Sequence, residues 1–437
     1  MMSKAQNELV TRTGPGTPCG ELFRRYWQPA ALTEEMPMGG APKPIRLLGE
    51  DLVLFRTRSG EPGLMGLHCP HRGTDLSYGR IEEDGLRCLY HGWLLGRDGR
   101  CLEQPGEPAN SRFKERIRHT AYPCREAGGL ILAYMGPGEA PPLPDFPIFA
   151  APAGHVWASK MIQECNYLQG NEGNVDPQHL SVLHRMASPD LAPDERSKEV
   201  DMLIGADPAP EIAFEETPFG LRVYASRALG DGRKYVRVTN FIMPNCSAFD
   251  GGPLHDPRRV RPKPNVGYWM HWHVPIDDEH HWKYIVAYCY DDPIDPAYQQ
   301  GMIHGEREGA YDSMRNKRNR YLQDRAEMER LTWLGMGHNF QIHDRFAIES
   351  QRPIADRTNE HLGASDRAVT AMRKLLLAAI KDLREGRDPR MAAGDGAARA
   401  LRDLVVVSET VPAAMDAKRV WREMRPGPRE AARSVAE

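Results

Sequence analysis

Two short stretches decide how this chain is read: Cys69-Pro-His71-Arg-Gly73 and, with 16 residues between His71 and Cys88, Cys88-Leu-Tyr-His91-Gly92. Each pairs a thiol with an imidazole and then a strand-breaking glycine. Two thiolates can hold one iron of a [2Fe–2S] cluster while two imidazoles hold the other, with one Cys and one His drawn from each loop. Zinc accepts the same four ligand types, so the spacing carries the argument. With 16 His and 8 Cys in 437 residues, such a pattern arises by chance in only about 1 in 1,000 chains.

Around these loops, residues 45–137 alternate apolar and polar residues in short runs (IRLLGEDLVLFRT, GLMGLHCP, GLILAYMG) and carry the hairpin signals Asp84-Gly85 and Asp98-Gly99. That predicts a small all-β module. It ends at the Pro-rich GPGEAPPLPDFP, residues 136–147, which suits a linker better than a sheet. Beyond it, residues 158–185 have helical spacing interrupted by QGNEGN, with a helix expected to resume near Asp176. LRVYASRAL, YVRVTNFIM, VGYWMHWHVP and HWKYIVAYCY, between residues 219 and 290, read as antiparallel strands. Ser365 as N-cap, followed by Val369, Met372, Leu376, Ile380 and Leu383, predicts a long amphipathic helix closed by Gly386 and Pro389. A weaker amphipathic segment is expected near residues 401–407, and a loose tail at PGPREAARSVAE. The pattern as a whole is α+β, without an internal repeat.

Composition narrows the function classes. Lys+Arg 57 against Asp+Glu 60 gives a net charge of −3, which favours neither nucleic acid nor an anionic membrane. The longest apolar run, residues 130–135, falls far short of the roughly 20 residues a membrane helix needs. The eight cysteines are too sparse for a disulfide framework, and no apolar leader follows Met1, so the expectation is a reducing, cytoplasmic setting.

A second constellation follows the linker: Asp176-Pro-Gln-His179-Leu-Ser-Val-Leu-His184. On a helix, Asp176 and His179 share a face. His179 and His184 would lie about 140° apart, so one metal could take both only if that helix were kinked or widened. Two His and a carboxylate with positions left open form a site for non-haem Fe(II) that activates O₂.

The two constellations together resemble the catalytic α subunit of the Rieske non-haem iron oxygenases, the aromatic ring-hydroxylating family, in the phthalate dioxygenase branch. The likeness runs through GPGTPCGELFRRYWQPA, CPHRGTDLSYGR, CLYHGW, QECNYLQGNEGNVDPQHLSVLH and IHDRFAIESQRPIADRTNEHLGASD. Glu172-Gly173, three to four residues before Asp176, is the form of that branch, where many other relatives have Asn.

The resemblance implies an N-terminal segment (1–44) packed on the catalytic domain, a Rieske [2Fe–2S] domain (45–140) and a helix-grip catalytic domain (141–437). It implies Cys69 and Cys88 on one cluster iron, His71 and His91 on the other, and His179, His184 and Asp344 on a mononuclear Fe(II). Among Asp344, Glu349, Asp356 and Asp366 the residues alone do not choose; the family pattern favours Asp344. Asp176 matches the carboxylate that bridges an iron-ligating His to His91 of a neighbouring subunit.

The implied activity is a terminal oxygenase that takes NAD(P)H electrons from a flavin or iron–sulfur reductase, or a ferredoxin, and uses O₂ to hydroxylate an aromatic carboxylate. O-demethylation of a methoxylated or ether-linked aromatic acid is the alternative. A cyclic homo-oligomer, most simply a trimer, is implied too. Arg227, then Arg237, are the candidate carboxylate anchors. From other classes come a Rieske electron carrier with a ligand-binding domain, and a lipid-type binding module on a helix-grip fold. The basic loop 256–263 could dock an acidic electron donor but reads first as a solvated loop, and the strand histidines 271, 273, 280 and 281 as structural or pocket-lining residues.

Overall fold

The computed structural model describes residues 1–192, 195–251, 254–257, 259, 265–390 and 399–424. Most of the basic loop 256–263 and the PGPREAARSVAE tail lie outside the described residues.

The β-branched and apolar runs of the first third form three small antiparallel sheets. Lys43–Leu47, Glu50–Arg56, Pro62–Gly66 and Ala121–Tyr122 make one, and Arg80–Ile81, Gly85–Arg87, Leu94–Gly96 and Cys101–Glu103 another. In the third, Leu130–Tyr134 lies between Trp27–Leu32 and Cys124–Ala127. Both Asp-Gly pairs sit at hairpin turns of the second sheet. Gly99 has φ +80°, and a Cβ there would fall 2.1 Å from the His119 carbonyl oxygen, which excludes any other residue. The core of this module is Val53, Phe55, Met65, Leu86 and Leu95, and Cys69 and Cys88 belong to it.

After the Pro-rich stretch comes an eight-stranded antiparallel sheet. Its order is Val156–Gln163, His281–Cys289, Gly267–Pro275, Cys246–Phe249, Arg233–Ile242, Gly220–Ala228 and Glu211–Thr217, with Val407–Pro412 sharing the Arg233–Ile242 edge. Every residue of Gly267–Pro275 is buried, as expected of a central strand covered on both faces. The apolar stripe of Arg367–Arg384 packs into the main core with the sheet, and helices Lys4–Thr11 and Pro18–Arg24 join that core through Val10, Leu22 and Phe23.

Three local expectations change. Helix Tyr167–Val175 contains the QGNEGN run and ends at Asp176, the reverse of a helix starting there. Pro177 is the cause: a residue before proline is pushed out of the α region, and Asp176 adopts φ −90°, ψ 105°. The long helix begins at Arg367 with Asp366 as N-cap, while Ser365 lies in the preceding 3₁₀ turn. Residues 401–407 form one 3₁₀ turn, Leu401–Asp403, leading into the strand Val407–Pro412, because Val407 pairs with Val238 in the sheet and Val405 and Val406 are buried just before it.

Candidate functional site

The two Cys/His loops are conformational copies of one another. The Cys69 carbonyl accepts from the Gly73 amide at 2.8 Å and the Cys88 carbonyl from the Gly92 amide at 3.1 Å. The cysteine amides donate to Thr74 and Trp93 carbonyls at 2.8 and 2.9 Å, and both glycines have positive φ. Both thiols are buried, whereas His71 and His91 are exposed with ring centroids 4.5 Å apart. Trp93 stacks on His71 at 4.5 Å. Burial, and then the neighbouring Cys88, push the Cys69 thiol up to about 11, while the His71 and Arg72 amides pull the other way. Two buried thiols aimed at each other, with backbone N–H groups directed at sulfur and two imidazoles at the rim, suit a [2Fe–2S] cluster.

The second constellation is assembled from distant segments. Past Asp176 the chain makes a 3₁₀ turn, His179–Ser181, so no helix has to be strained to bring the histidines together. Helix Phe340–Glu349 supplies Asp344. Asp344 Oδ1 lies 3.1 Å from His184 Nε2 and 3.7 Å from His179 Nε2, and the three ligand-capable atoms fall within 4.8 Å of one another. Glu349 is instead engaged with Arg345 and the Glu164 amide, and Asp356 with Thr358 and Asn359.

The groups behind the histidines orient them, through a facing carboxylate for His179 and a hydrogen bond for His184. Asp176 Oδ2 stands 3.6 Å from His179 Nδ1. His184 Nδ1 meets His343 Nδ1 at 3.3 Å, and His343 Nε2 donates to the Gly337 carbonyl at 2.8 Å. Both Nε2 lone pairs therefore turn toward Asp344 Oδ1, as an iron held by two His and a carboxylate requires. Burial would raise the Asp344 carboxyl, but His184, Lys283 and His179 outweigh it and hold it well below the usual carboxylate range. Lys283, buried on the central sheet, lies 3.8 Å from Asp344 Oδ2 and donates to Gln341 at 2.6 Å. Neither His343 nor Lys283 stood out in the sequence, although His343 is the chain neighbour of Asp344.

These residues open onto a cavity of about 730 Å³, lined among others by Asp176, His179, His184, Arg237, His271 and Asp344. That is the size of a small-molecule site. Arg237 is 9% exposed, and its only hydrogen bond among the described residues goes to the Asp250 carbonyl. Arg227 stands behind the wall. It is fully buried and donates to the Pro177 carbonyl at 2.6 Å and to Ser181 Oγ at 3.2 and 3.3 Å, bracing the turn that carries His179. Burial, and then Arg237, push its guanidinium down to about 10.

Comparison with known proteins decides the family. A Rieske [2Fe-2S] domain model matches residues 26–120, and a model described as LigXa C-terminal domain like matches residues 133–434. The oxygenase subunit of phthalate 4,5-dioxygenase from Pseudomonas putida is 36% identical over 403 residues, 88% of each chain. The chain belongs to the Rieske oxygenase family.

Two further relatives of this Rieske oxygenase are the phenoxybenzoate dioxygenase α subunit of Ectopseudomonas oleovorans, 33% identical over 395 residues (87% and 86% of the two chains), and the 5,5'-dehydrodivanillate O-demethylase oxygenase subunit of Sphingobium sp., 33% identical over 409 residues (91% and 85%). The fold is that of the carbazole 1,9a-dioxygenase oxygenase solved with its ferredoxin: TM-score 0.56, 22% identity, 87% of this chain and 94% of that one. The protein is thus the terminal oxygenase component of a multi-component oxidoreductase that incorporates O₂. It works with a Rieske cluster, a mononuclear iron and electrons delivered by a reductase. Among its described residues no helix is long and apolar enough to cross a membrane.

Proposed function

We propose that this oxygenase hydroxylates an aromatic carboxylate. One observation carries the reading: Arg237 is a buried guanidinium that faces the cavity with no carboxylate partner among the described residues. A buried charge is costly unless it is paired, and a guanidinium fork meets a carboxylate through two parallel hydrogen bonds. Arg227, expected from sequence as the first anchor, serves in this reading as the brace of the His179 turn.

Cys69, Cys88, His71 and His91 would hold the cluster, and His179, His184 and Asp344 would hold the mononuclear iron, which would supply O₂ activation when bound. The protein's own part is to keep both Nε2 lone pairs and one carboxylate oxygen converged, to seat the acid on Arg237, and to keep water from the reacting ring. Asp176 links His179 to His91 of a neighbouring subunit, in a homo-oligomer that is most simply a trimer. The exposed His71/His91 rim takes electrons from a ferredoxin or an iron–sulfur flavoprotein reductase. Residues 1–44, 45–140 and 141–437 are the working divisions of the chain, and the eight unpaired cysteines accord with a cytoplasmic location.

A second reading, O-demethylation of a methoxylated or ether-linked aromatic acid, is favoured by the likeness to the dehydrodivanillate O-demethylase subunit over 91% of this chain. An electron carrier with a binding domain would have no use for the converged His179, His184 and Asp344 inside the cavity. The test is O₂ uptake by the holoenzyme with a surrogate reductase across benzoates, phthalates and methoxybenzoates, with products identified by mass. Hydroxylated acid supports the first reading, and formaldehyde release the second. Iron should reach about three atoms per chain; two atoms with an intact Rieske spectrum would sink both.

A further inference from the structure

The central strand Gly267–Pro275 turns His271 and His273 to the same face, because residues two apart on a strand share a face. Their fates differ. His273 is satisfied on both sides, with Nδ1 2.9 Å from His281 Nε2 and Nε2 2.8 Å from the Asn174 side-chain amide. His281 is tied to the Cys165 carbonyl at 2.7 Å.

His271 is 2% exposed, lines the cavity, and has no hydrogen-bond partner among the described residues at either ring nitrogen. A buried donor and acceptor left unmet carry their full desolvation penalty until a ligand answers them. The ring stands edge-on to Phe249, with centroids 4.6 Å apart, and within the fields of Lys283 and Asp344, which places it toward the iron end of the cavity. Burial holds the imidazole neutral, so it offers one N–H and one bare nitrogen and no charge. The N–H can donate to an ether oxygen or a hydroxyl, and the bare nitrogen can accept from a hydroxyl. A second carboxylate would bring a buried charge that the neutral ring leaves unbalanced, since the nearby ammonium of Lys283 is already engaged by Asp344 and Gln341.

The register relates the two anchors. Ser247 pairs with both His271 and Phe241, so Arg237 lies two strands across and four residues along the sheet from His271. At ~4.8 Å per strand and ~3.4 Å per residue their backbones are roughly 17 Å apart. Arg237 then reaches over to the Asp250 carbonyl at the end of the intervening strand, which shortens the gap between side-chain tips to something an aromatic ring with substituents at both ends can span.

We propose that His271 hydrogen-bonds an oxygen substituent, a hydroxyl or ether oxygen, on the same aromatic acid whose carboxylate Arg237 holds, so that the preferred substrates are oxygenated aromatic acids rather than bare benzoates or phthalates. This rests on the aromatic-acid reading above. It makes His271 a specificity-determining residue.

The test is equilibrium binding to anaerobic holoenzyme without a reductase, using 4-hydroxy-3-methoxybenzoate, benzoate and phthalate. The wild type should bind the oxygenated acid about tenfold or more tighter than the other two. His271→Leu should erase that preference by weakening the oxygenated acid alone, and His271→Gln should restore part of it. Iron content and Rieske spectrum should match the wild type in both variants. Arg237→Met should weaken every acid alike. A preference that persists in His271→Leu, or wild-type binding of benzoate or phthalate as tight as that of the oxygenated acid, overturns the role of His271 alone. Failure of every acid to bind overturns the aromatic-acid reading, and this inference with it.

Discussion

His343 Nδ1 lies 3.3 Å from His184 Nδ1 while His343 Nε2 lies 2.8 Å from the Gly337 carbonyl oxygen. A carbonyl only accepts, so His343 Nε2 carries the proton, its Nδ1 is bare, and His184 must donate from Nδ1. The tautomer of His184 is thus set from outside the iron site, and its Nε2 is left free for the metal. Such outer partners are typically worth 10- to 100-fold in metal affinity. His343→Phe should therefore release mononuclear iron to a chelator some 10- to 100-fold more readily, with the Rieske spectrum unchanged. Wild-type iron retention would remove His343 from this role.

Asp176 stands 3.6 Å from His179 and lines the cavity, with Oδ1 accepting from the Gln178 amide at 2.8 Å. Asp176→Asn keeps the shape and removes the charge. The Rieske spectrum and iron content should survive while NADH-coupled turnover collapses. Turnover within about twofold of wild type would exclude Asp176 from the electron path, since each tenfold in rate is ~1.4 kcal/mol of barrier.

Arg227 and Arg237 are separable by kinetics. Arg227 holds Pro177 and Ser181, and so the turn bearing His179; Arg237 faces the cavity. Removing Arg227 strands two buried acceptors, a loss of about 1–3 kcal/mol. Arg227→Met should lower stability, iron occupancy and kcat with little change in KM for the acid. Arg237→Met should raise KM and spare iron. The opposite pattern would restore Arg227 as the substrate anchor.

Glu172, on the helix that ends at Asp176, bridges Arg357 at 2.7 Å and Arg373 at 2.6 Å. Burial would raise its carboxyl, but the two guanidiniums outweigh it and hold it below the ordinary range. The folded state therefore binds fewer protons here than the unfolded chain. The stabilisation is complete above the unfolded value of ~4.3 and is lost as pH falls through the lower folded value. Glu172→Gln should cost about 3–5 kcal/mol at pH 7 and flatten the fall in Tm below pH ~4.3. An unchanged acid limb in a thermal melt series would refute the assignment.

The sequence by itself determined what is local. Five-residue loops that each join a thiol, an imidazole and a glycine dictate their own backbone, so Cys69, His71, Cys88 and His91 could be grouped without coordinates. Runs rich in β-branched and aromatic residues between Gly, Pro and Asp likewise foretold the four long strands, because such side chains pack well on a pleated sheet. The tertiary structure decided what depends on chain segments meeting. Asp176-Pro177 read as a helix start, but proline sterics make it a helix end, and the turn that follows brings His179 and His184 together without strain. Asp344 was one of four nearby carboxylates until helix Phe340–Glu349 set it against both histidines. Arg227 and Arg237 lie on neighbouring strands, and only the segments they meet, Pro177 and Ser181 for the first and Asp250 for the second, put one behind the wall and the other in the cavity. His343 and His271 could not be told from ordinary buried histidines in sequence, because what distinguishes them is a hydrogen-bond partner remote in the chain, which His343 finds in His184 and which His271 lacks among the described residues.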